Sequence, residues 1–241
     1  ENYKKRLKVL KNNIIDMNSA KHNTSCHKAM IFAAGLGTRL KPWTDHHPKA
    51  LAMVNGKSLL QRNVEYLQMH GIMEVIINVH HFANQIIKAV NANKGWGSHI
   101  TISDETSEVL ETGGGLKKAA SYFENEYNFI VLNVDILTDL NLSAMIAEHE
   151  QTKALATLAV TERETSRYFL FNQQQELCGW KNVKTGEEKI VRQQEPLFKK
   201  AFSGVHVINT KLFSLMQQTG KFSMVDVYLS LATDNLIKCF N

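Results

Sequence analysis

Three short stretches of this chain combine residue types suited to anionic ligands. In the first, the apolar run of residues 30–34 is followed by Gly35, Gly37, Arg39 and, farther on, Lys49. Glycines allow a tight turn and a close backbone approach. A turn that closes a strand can aim N–H groups at a phosphate. Pro42 and Pro48 stiffen the segments carrying the two cations. Arginine would grip a polyphosphate as a fork, and lysine as a point charge. The second stretch is residues 110–116, L-E-T-G-G-G-L. Three glycines opening a helix leave N–H groups and room for a flat or anionic ligand. The third is Asn133-Val134-Asp135, which sets a carboxylate just past an apolar strand. Beside a phosphate, such a carboxylate is placed to hold Mg²⁺.

Two familiar phosphate loops do not fit. The dinucleotide fingerprint G-x-G-x-x-G finds Leu40 where its third glycine belongs, and G-x-x-x-x-G-K-[ST] is absent. Asp139 reads as a helix cap or a solvated residue. His46-His47 and His80-His81 are adjacent pairs, and neighbours on a strand point to opposite faces. There is no H-E-x-x-H, so no histidine is assigned to a metal. Gly204, in F-S-G-V-H, fits a close ligand approach or a glycine bend within a strand. Arg167 and Lys189 could meet a phosphate but read as exposed charges.

Positioning these groups requires regular elements, and the apolar spacing supplies them. Leu59, Leu60, Val64 and Leu67 predict a helix ending near Gly71. Strands are expected over 74–79, 99–103, 129–134 and 154–160, with helices over 82–93, 112–123 and 142–150. Strands alternating with helices imply parallel βαβ units in an open sheet covered on both faces. Ligands in such sheets sit at the carboxyl ends of the strands, where all three stretches fall. From about 161 to 201 the alternation fades. Short apolar pieces at 168–171 and 177–180 suggest strands and loops forming a lid or a pocket wall. A strand over 202–208 and helices over 212–216 and 225–231 follow.

A chain of 241 residues with 44% hydrophobic residues can form one or two domains with a real core. No apolar run reaches 18 residues, and the N-terminus lacks a secretory apolar region. Cys26, Cys178 and Cys239 offer neither a disulfide framework nor metal-ligand spacing, so a cytoplasmic setting is expected. The formal charge is +5, but residues 1–27 hold six cations against Glu1 and Asp16, which leaves only +1 for the remainder. That argues against a nucleic-acid partner. Leu7, Leu10, Ile14 and Met17 predict an amphipathic N-terminal helix. Residues 18–27 read as a linker, and 28–241 as the main domain.

Read as one string, A-A-G-L-G-T-R-L-K-P followed by P-K-A-L resembles the signature of the sugar-1-phosphate nucleotidyltransferases. That signature is A-A-G-x-G-T-R-L-x-P and P-K-P-L, with Ala50 here replacing the last proline. The similarity covers roughly residues 28–232. The L-E-T-G-G-G-L-K-K-A run is similar to the branch holding N-acetylmuramate-1-phosphate uridylyltransferases and mannose-1-phosphate guanylyltransferase-like enzymes. The resemblance implies a Rossmann-like α/β fold, open and mostly parallel, of the nucleotide-diphospho-sugar transferase type. It implies transfer of a nucleotidyl group from UTP or GTP to a sugar 1-phosphate, with pyrophosphate released and Mg²⁺ as cofactor. By the same resemblance Ala33, Ala34, Gly35, Gly37 and Thr38 bind nucleotide. Thr112, Gly113 and Gly114 contact the base, and Glu111 reaches base or ribose. Asn133 and Gly204 line the sugar pocket, Asp135 holds the metal, and Arg39 and Lys49 are catalytic.

The family uses a second metal aspartate near a later D-V-G or D-I-G. Asp226 and Asp234 lack that glycine. The chain is therefore expected to be a shortened piece, with the second carboxylate beyond Asn241. The expected partners are a nucleoside triphosphate and a sugar 1-phosphate, with no nucleic acid and no membrane. Base, sugar and oligomeric state stay open. So do two other readings: a cytidylyltransferase for phosphocholine or another alcohol phosphate, and a non-catalytic subunit that binds nucleotide-sugars. Intact Arg39, Lys49 and Asp135 argue against the latter.

Overall fold

The central strands, over residues 28–32, 74–79 and 128–133, are buried on both sides, because both faces of the sheet are covered there. In the computed structural model, which describes residues 26–241, the order is β1 (Lys28–Phe32), β2 (Met53–Val54), β3 (Lys57–Ser58), α1 (Leu59–Met69), β4 (Glu74–Val79), α2 (Ala83–Ala92), β5 (His99–Asp104), α3 (Glu111–Lys118), β6 (Asn128–Asn133), α4 (Leu142–Thr152), β7 (Ala156–Thr161), β8 (Arg167–Phe171), β9 (Leu177–Asn182), β10 (Glu188–Ile190), β11 (Phe198–Asn209), α5 (Leu212–Leu215), α6 (Met224–Leu231) and β12 (Ile237–Phe240). The predicted N-terminal helix lies outside the described residues.

Successive strand residues face opposite sides, and β1 shows the result. Ala29 and Ile31 join one core with Leu60, Val64 and Leu67 of α1, Ile86 of α2 and Met145 of α4. Met30 and Phe32 join the other, with Leu116 of α3, Phe123, Val227 and Tyr228. Each fully buried Leu, Ile or Phe contributes about 1.5–3 kcal/mol, so both helical layers are held firmly to the sheet. This is the expected open α/β architecture.

Strands β5-β4-β1-β6 run parallel in that order. Beyond β6 the direction reverses. β11 is antiparallel to β6 over residues 205–209, to β7 over 201–208 and to β8 over 198–200. It inserts between β6 and β7, so the β6–α4–β7 unit spans a strand from much later in the chain. The segment read as a lid or wall is an antiparallel extension, β8-β9-β10. The C-terminal apolar stretch is a strand, β12, parallel to β7.

Boundaries moved where side chains compete with the ladder. β1 ends at Phe32 rather than Ala34, because the Ala33 N–H donates to Asn78 Oδ1 (2.7 Å) instead of to a strand. The helix expected over 112–123 breaks after Lys118 and resumes as a short 3-10 turn, Ala120–Phe123. Asn141, not Asp139, caps α4, accepting the Ala144 N–H (3.1 Å).

Two histidines are locked in the core as neutral rings. His149 meets Thr157 Oγ1 (2.8 Å) and Asn128 Oδ1 (3.2 Å), and His206 meets Tyr228 Oη (2.6 Å). Burial pushes His149 down to about 4 and His206 down to about 3. In the unfolded chain both would take a proton near pH 6.5. The unfolded state therefore binds more protons between pH 6.5 and about 4, and stability falls as pH falls through that window. The loss is on the order of a few kcal/mol per ring at its lower end. Thermal unfolding should accordingly show a lower melting temperature at pH 4.5 than at pH 7.5. The drop should be smaller in His149→Gln, whose amide cannot charge. An equal drop in both proteins would show that other groups set the acid sensitivity.

Candidate active site

The first loop is shaped by Gly37, whose φ of +64° lies in the left-handed region that side chains rarely adopt. Its carbonyl accepts from Thr44 Oγ1 (3.0 Å) and from the Leu40 N–H (2.9 Å). A Cβ there would sit 2.9 Å from Thr44 Cγ2 and 3.0 Å from Lys49 Cβ. The turn thus packs directly on the segment that delivers Lys49. Gln85 of α2 also donates to His46 O (2.9 Å), tying the loop to the helical layer.

The start of the loop hangs on a buried carboxamide. Asn78, at the end of β4, accepts the Ala33 N–H and donates Nδ2 to Glu105 Oε1 (2.9 Å). Glu105 is 1% exposed, and burial raises its carboxyl above the usual range, opposed by the Asn78 hydrogen bond and the Lys118 charge. The pair leaves no room for a side chain on α3. A Cβ at Gly115 would lie 2.5 Å from Glu105 Oε1 and 3.0 Å from Asn78 Nδ2.

The Asp135 segment is clamped as tightly. Asn63 of α1, 3% exposed, donates to Val134 O (3.0 Å), and the Val134 N–H donates to Phe32 O (3.2 Å). Asp135 itself meets Lys49, whose Nζ donates to Oδ2. Gly204 sits at a register shift in β11 with φ +86°. A Cβ there would come within 2.5 Å of Ile136 Cγ2 and 3.2 Å of Asn133 Nδ2, so the middle of β11 packs directly on the end of β6.

Two cavities open at these strand ends. The smaller, about 440 Å³, is lined by Phe32, Ala34, Gly35, Leu36, Gly37 and Thr38 of the first loop, by Asn78, His80 and Glu105, and by Val109, Glu111, Thr112 and Lys221. Glu111 and Lys221 form an ion pair across its rim (3.6 Å). The larger, about 900 Å³, is lined by Arg39, Asn133, Asp135 and Ile136, by residues of β8 and β9 including Arg167, Tyr168, Trp180 and Asn182, and by Phe202, Ser203, Gly204 and Val225. The loop that forms one wall of the first cavity continues through Arg39 into the second.

Most residues expected from the sequence line one cavity or the other. Ala33, Lys49, Gly113 and Gly114 line neither, although Lys49 reaches Asp135 of the larger one. Contrary to the expectation from sequence, Gly113 and Gly114 of α3 do not present free N–H groups. Gly113 and Gly114 both donate to Phe222 O (2.9 and 3.2 Å), and Thr112 Oγ1 accepts the Met224 N–H (3.0 Å). Their reason is close packing against residues 220–222. Lys189 is an exposed cation between Glu187 (3.5 Å) and Asp226 (3.8 Å), whereas Arg167 faces the larger cavity. Asp226 is engaged in the first turn of α6, where Ser223 Oγ donates to it (2.6 Å). Among the described residues no group of three or more His, Cys, Asp or Glu converges on one point.

Sequence reading missed Asn78, His80, Glu105, Arg163, Trp180 and Asn182. The one visible signal was Asn78, a polar residue inside the run E-V-I-I-N-V. His80 Nδ1 and Ser203 Oγ are buried without a hydrogen-bond partner among the described residues, one beside each cavity.

Comparison with known proteins bears on the family and the fold. A sequence profile described as nucleotidyl transferase matches residues 28–221. The N-acetylmuramate alpha-1-phosphate uridylyltransferase of Caulobacter vibrioides is 41% identical over 109 residues, 44% of this chain and 45% of that protein. The D-glycero-alpha-D-manno-heptose 1-phosphate guanylyltransferase of Campylobacter jejuni is 32% identical over 198 residues, 81% of this chain and 82% of that protein. The matched stretches span about half the length of the uridylyltransferase relatives. Among solved structures, HddC from Yersinia pseudotuberculosis complexed with GMP-PN has a TM-score of 0.72 at 24% identity, covering 89% of each chain, which establishes the shared fold.

The glycine packing makes a sign-reversed prediction. Replacing a helical glycine by alanine ordinarily stabilises by about 0.5–1 kcal/mol. In α3 the new Cβ at Gly114 would lie 2.4 Å from the backbone Gly220 O, and at Gly113 2.4 Å from Phe222 Cδ2. Gly114→Ala should therefore lower stability, by about 1–3 kcal/mol, measured as the urea midpoint. An unchanged or raised midpoint would mean that residues 220–222 yield freely.

Proposed function

The chain belongs to the nucleotidyl transferase family, and on that premise we propose that it transfers a nucleotidyl group from a nucleoside triphosphate, UTP or GTP, to a sugar 1-phosphate. The products are a nucleotide-sugar and pyrophosphate. The observation that carries this reading is the first loop itself. It lines the smaller cavity with Ala34, Gly35, Gly37 and Thr38, and the larger one with Arg39, so a triphosphate in one would meet an acceptor in the other. Asp135 also lines the larger one, and Lys49 pairs with it.

The chemistry follows from charge. A sugar 1-phosphate is already an anion at neutral pH and needs no general base to attack the α-phosphorus. What the site must supply is alignment and neutralisation of crowded phosphates. Arg39 and Lys49 provide two cations, the first as a fork and the second as a point charge. Gly35 adds open space: a Cβ there would meet no atom within 4 Å, so backbone can approach a phosphate unhindered.

Mg²⁺ is the cofactor we propose, with Asp135 as its protein ligand. The residues fit such an ion. Asp135 is a half-exposed carboxylate at the cavity edge with a cation as its partner, and Mg²⁺ is commonly held by one or two carboxylates together with substrate phosphates and water. Bound there, the ion would supply further neutralisation of phosphate charge. The setting we propose is a reducing cytoplasm, consistent with three buried thiols in no disulfide. A phosphocholine acceptor is disfavoured by Arg163, Arg167 and Lys184 around the larger cavity, which would repel a quaternary ammonium.

Pyrophosphate release, screened over four nucleoside triphosphates and a panel of sugar 1-phosphates, tests the reading. Release with no triphosphate, or only with phosphocholine, would overturn it. Arg39→Ala and Lys49→Ala should each lower turnover about tenfold or more while circular dichroism and melting stay close to the parent protein. Near-normal turnover in both would remove this loop from the reaction.

A further inference from the structure

The apolar face of α1 carries a polar residue at its centre. Leu59, Leu60, Val64 and Leu67 are buried, and Asn63 stands among them, one turn from Leu59 and one from Leu67, 3% exposed. Asparagine is a weak helix former, and a buried amide is costly unless its hydrogen bonds are made. Packing alone would favour an apolar residue there.

The acceptors of its amide show what it does instead. Asn63 Nδ2 donates to Leu59 O in its own helix (2.9 Å) and to Val134 O (3.0 Å), and it reaches Ile136 O at 3.5 Å. Val134 and Ile136 flank Asp135 on either side. The Val134 N–H is also taken, by Phe32 O (3.2 Å), and the Ile136 N–H donates to Asn133 O (3.3 Å). The backbone that aims the Asp135 carboxylate is therefore held from both sides, and α1 supplies the hold through one side chain.

The same helix holds the opposite charge. Lys49 opens a 3-10 turn, Lys49–Leu51, and the Ala52 N–H closes it on Lys49 O (3.0 Å). Ala52 O in turn accepts the Leu59 N–H at the start of α1 (2.9 Å). Arg62 grips Val54 O with Nε (2.9 Å) and Nη2 (2.6 Å). Ala50 is buried in the same core as Leu60 and Val64. One helix thus carries both of the segments whose side chains meet as the Lys49–Asp135 pair.

Resting on the transfer reading above, we infer that Asn63 is a positioning residue for the reaction: through Val134 O and Ile136 O it sets where α1 presents the Asp135 carboxylate to Lys49 and to the phosphates. Tyr66 of the same helix provides the contrast. Its Oη donates to Leu140 O (2.8 Å), farther along the same loop. That bond fastens the loop without touching the peptides beside Asp135.

The test compares Asn63→Leu, Asn63→Gln and Tyr66→Phe in the whole chain. Leucine keeps the size and removes the amide, whereas glutamine keeps the amide on a longer stem. Pyrophosphate release gives kcat and the KM for the triphosphate. Binding of Mn²⁺, a paramagnetic stand-in for Mg²⁺, is read by electron paramagnetic resonance with a non-hydrolysable UTP or GTP analogue present, and does not depend on turnover.

Asn63→Leu should lower kcat and weaken Mn²⁺ binding, each about tenfold or more, while the KM for the triphosphate changes by about twofold or less. Asn63→Gln should keep part of both. Added to Asp135→Asn, Asn63→Leu should cause little further loss of kcat, because residues that act as a unit are not additive. Tyr66→Phe should leave kcat and Mn²⁺ binding near those of the parent protein even where it lowers the melting temperature. Equal losses in Tyr66→Phe and Asn63→Leu would reduce the effect to general loosening and overturn the inference. Full additivity with Asp135→Asn would do the same, as would parent-like kcat and Mn²⁺ binding in Asn63→Leu. If Asn63→Leu does not fold, Asn63→Gln is judged by these same outcomes. All of them leave the transfer reading intact. A parent protein that releases no pyrophosphate with any acceptor would overturn that reading, and this inference with it.

Discussion

One buried carboxamide organises the end of this molecule where the first loop leaves the sheet. Asn78 receives the first N–H beyond β1 and gives its own N–H to Glu105 beyond β5. Three parallel strands, β1, β4 and β5, are thereby fastened at their carboxyl ends through side chains, where the backbone ladder has run out. The pair is expensive to disturb. An unsatisfied buried polar group costs about 1–3 kcal/mol, and removing either partner leaves one behind. The same pair dictates Gly115 on α3, because no Cβ fits against it. A loop, three strands and a helix therefore share a single constraint.

The second organising fact is the reversal of direction at β11. A purely parallel sheet would have continued from β6 to β7 with its crevice closed by helices. β11 enters between them from the far side of an antiparallel extension, and its register shift at Gly204 brings β11 against Asn133 and Ile136. The extension then supplies a wall for the larger cavity. Parallel strands make the smaller cavity and antiparallel strands make the larger one, and Arg39, Lys49 and Asp135 sit where the two regimes meet. That division matches the two halves of the proposed reaction.

Charge is distributed to suit. The first loop lines the smaller cavity with uncharged residues from Ala34 to Thr38, and Arg39 carries the charge into the larger one. Lys49 lies against Asp135, which keeps both charges partnered. The outer cavity wall carries cations without carboxylates.

Much of this was legible in the sequence, and what was legible had local causes. Alternating apolar strands and helices follow from side-chain periodicity, so the open α/β sheet could be read directly. Gly37, Arg39, Lys49 and Asp135 could be marked because turns, cations and strand-end carboxylates carry their chemistry in the residue type. The rest depended on contacts between residues far apart in the chain. Asn78 and Glu105 are 27 residues apart, and only pairing of β4 with β5 makes them neighbours. The triple glycine of α3 looked like an open ligand surface, yet Gly113 and Gly114 are close-packed on residues 220–222 and Gly115 on Glu105 and Asn78, contacts no local pattern reports. Arg167 read as a solvated charge until β8 was laid beside β11. Periodicity determines which face of a strand is buried. Which strand lies beside it, and so which side chains share a cavity, is decided by burial summed over the whole fold.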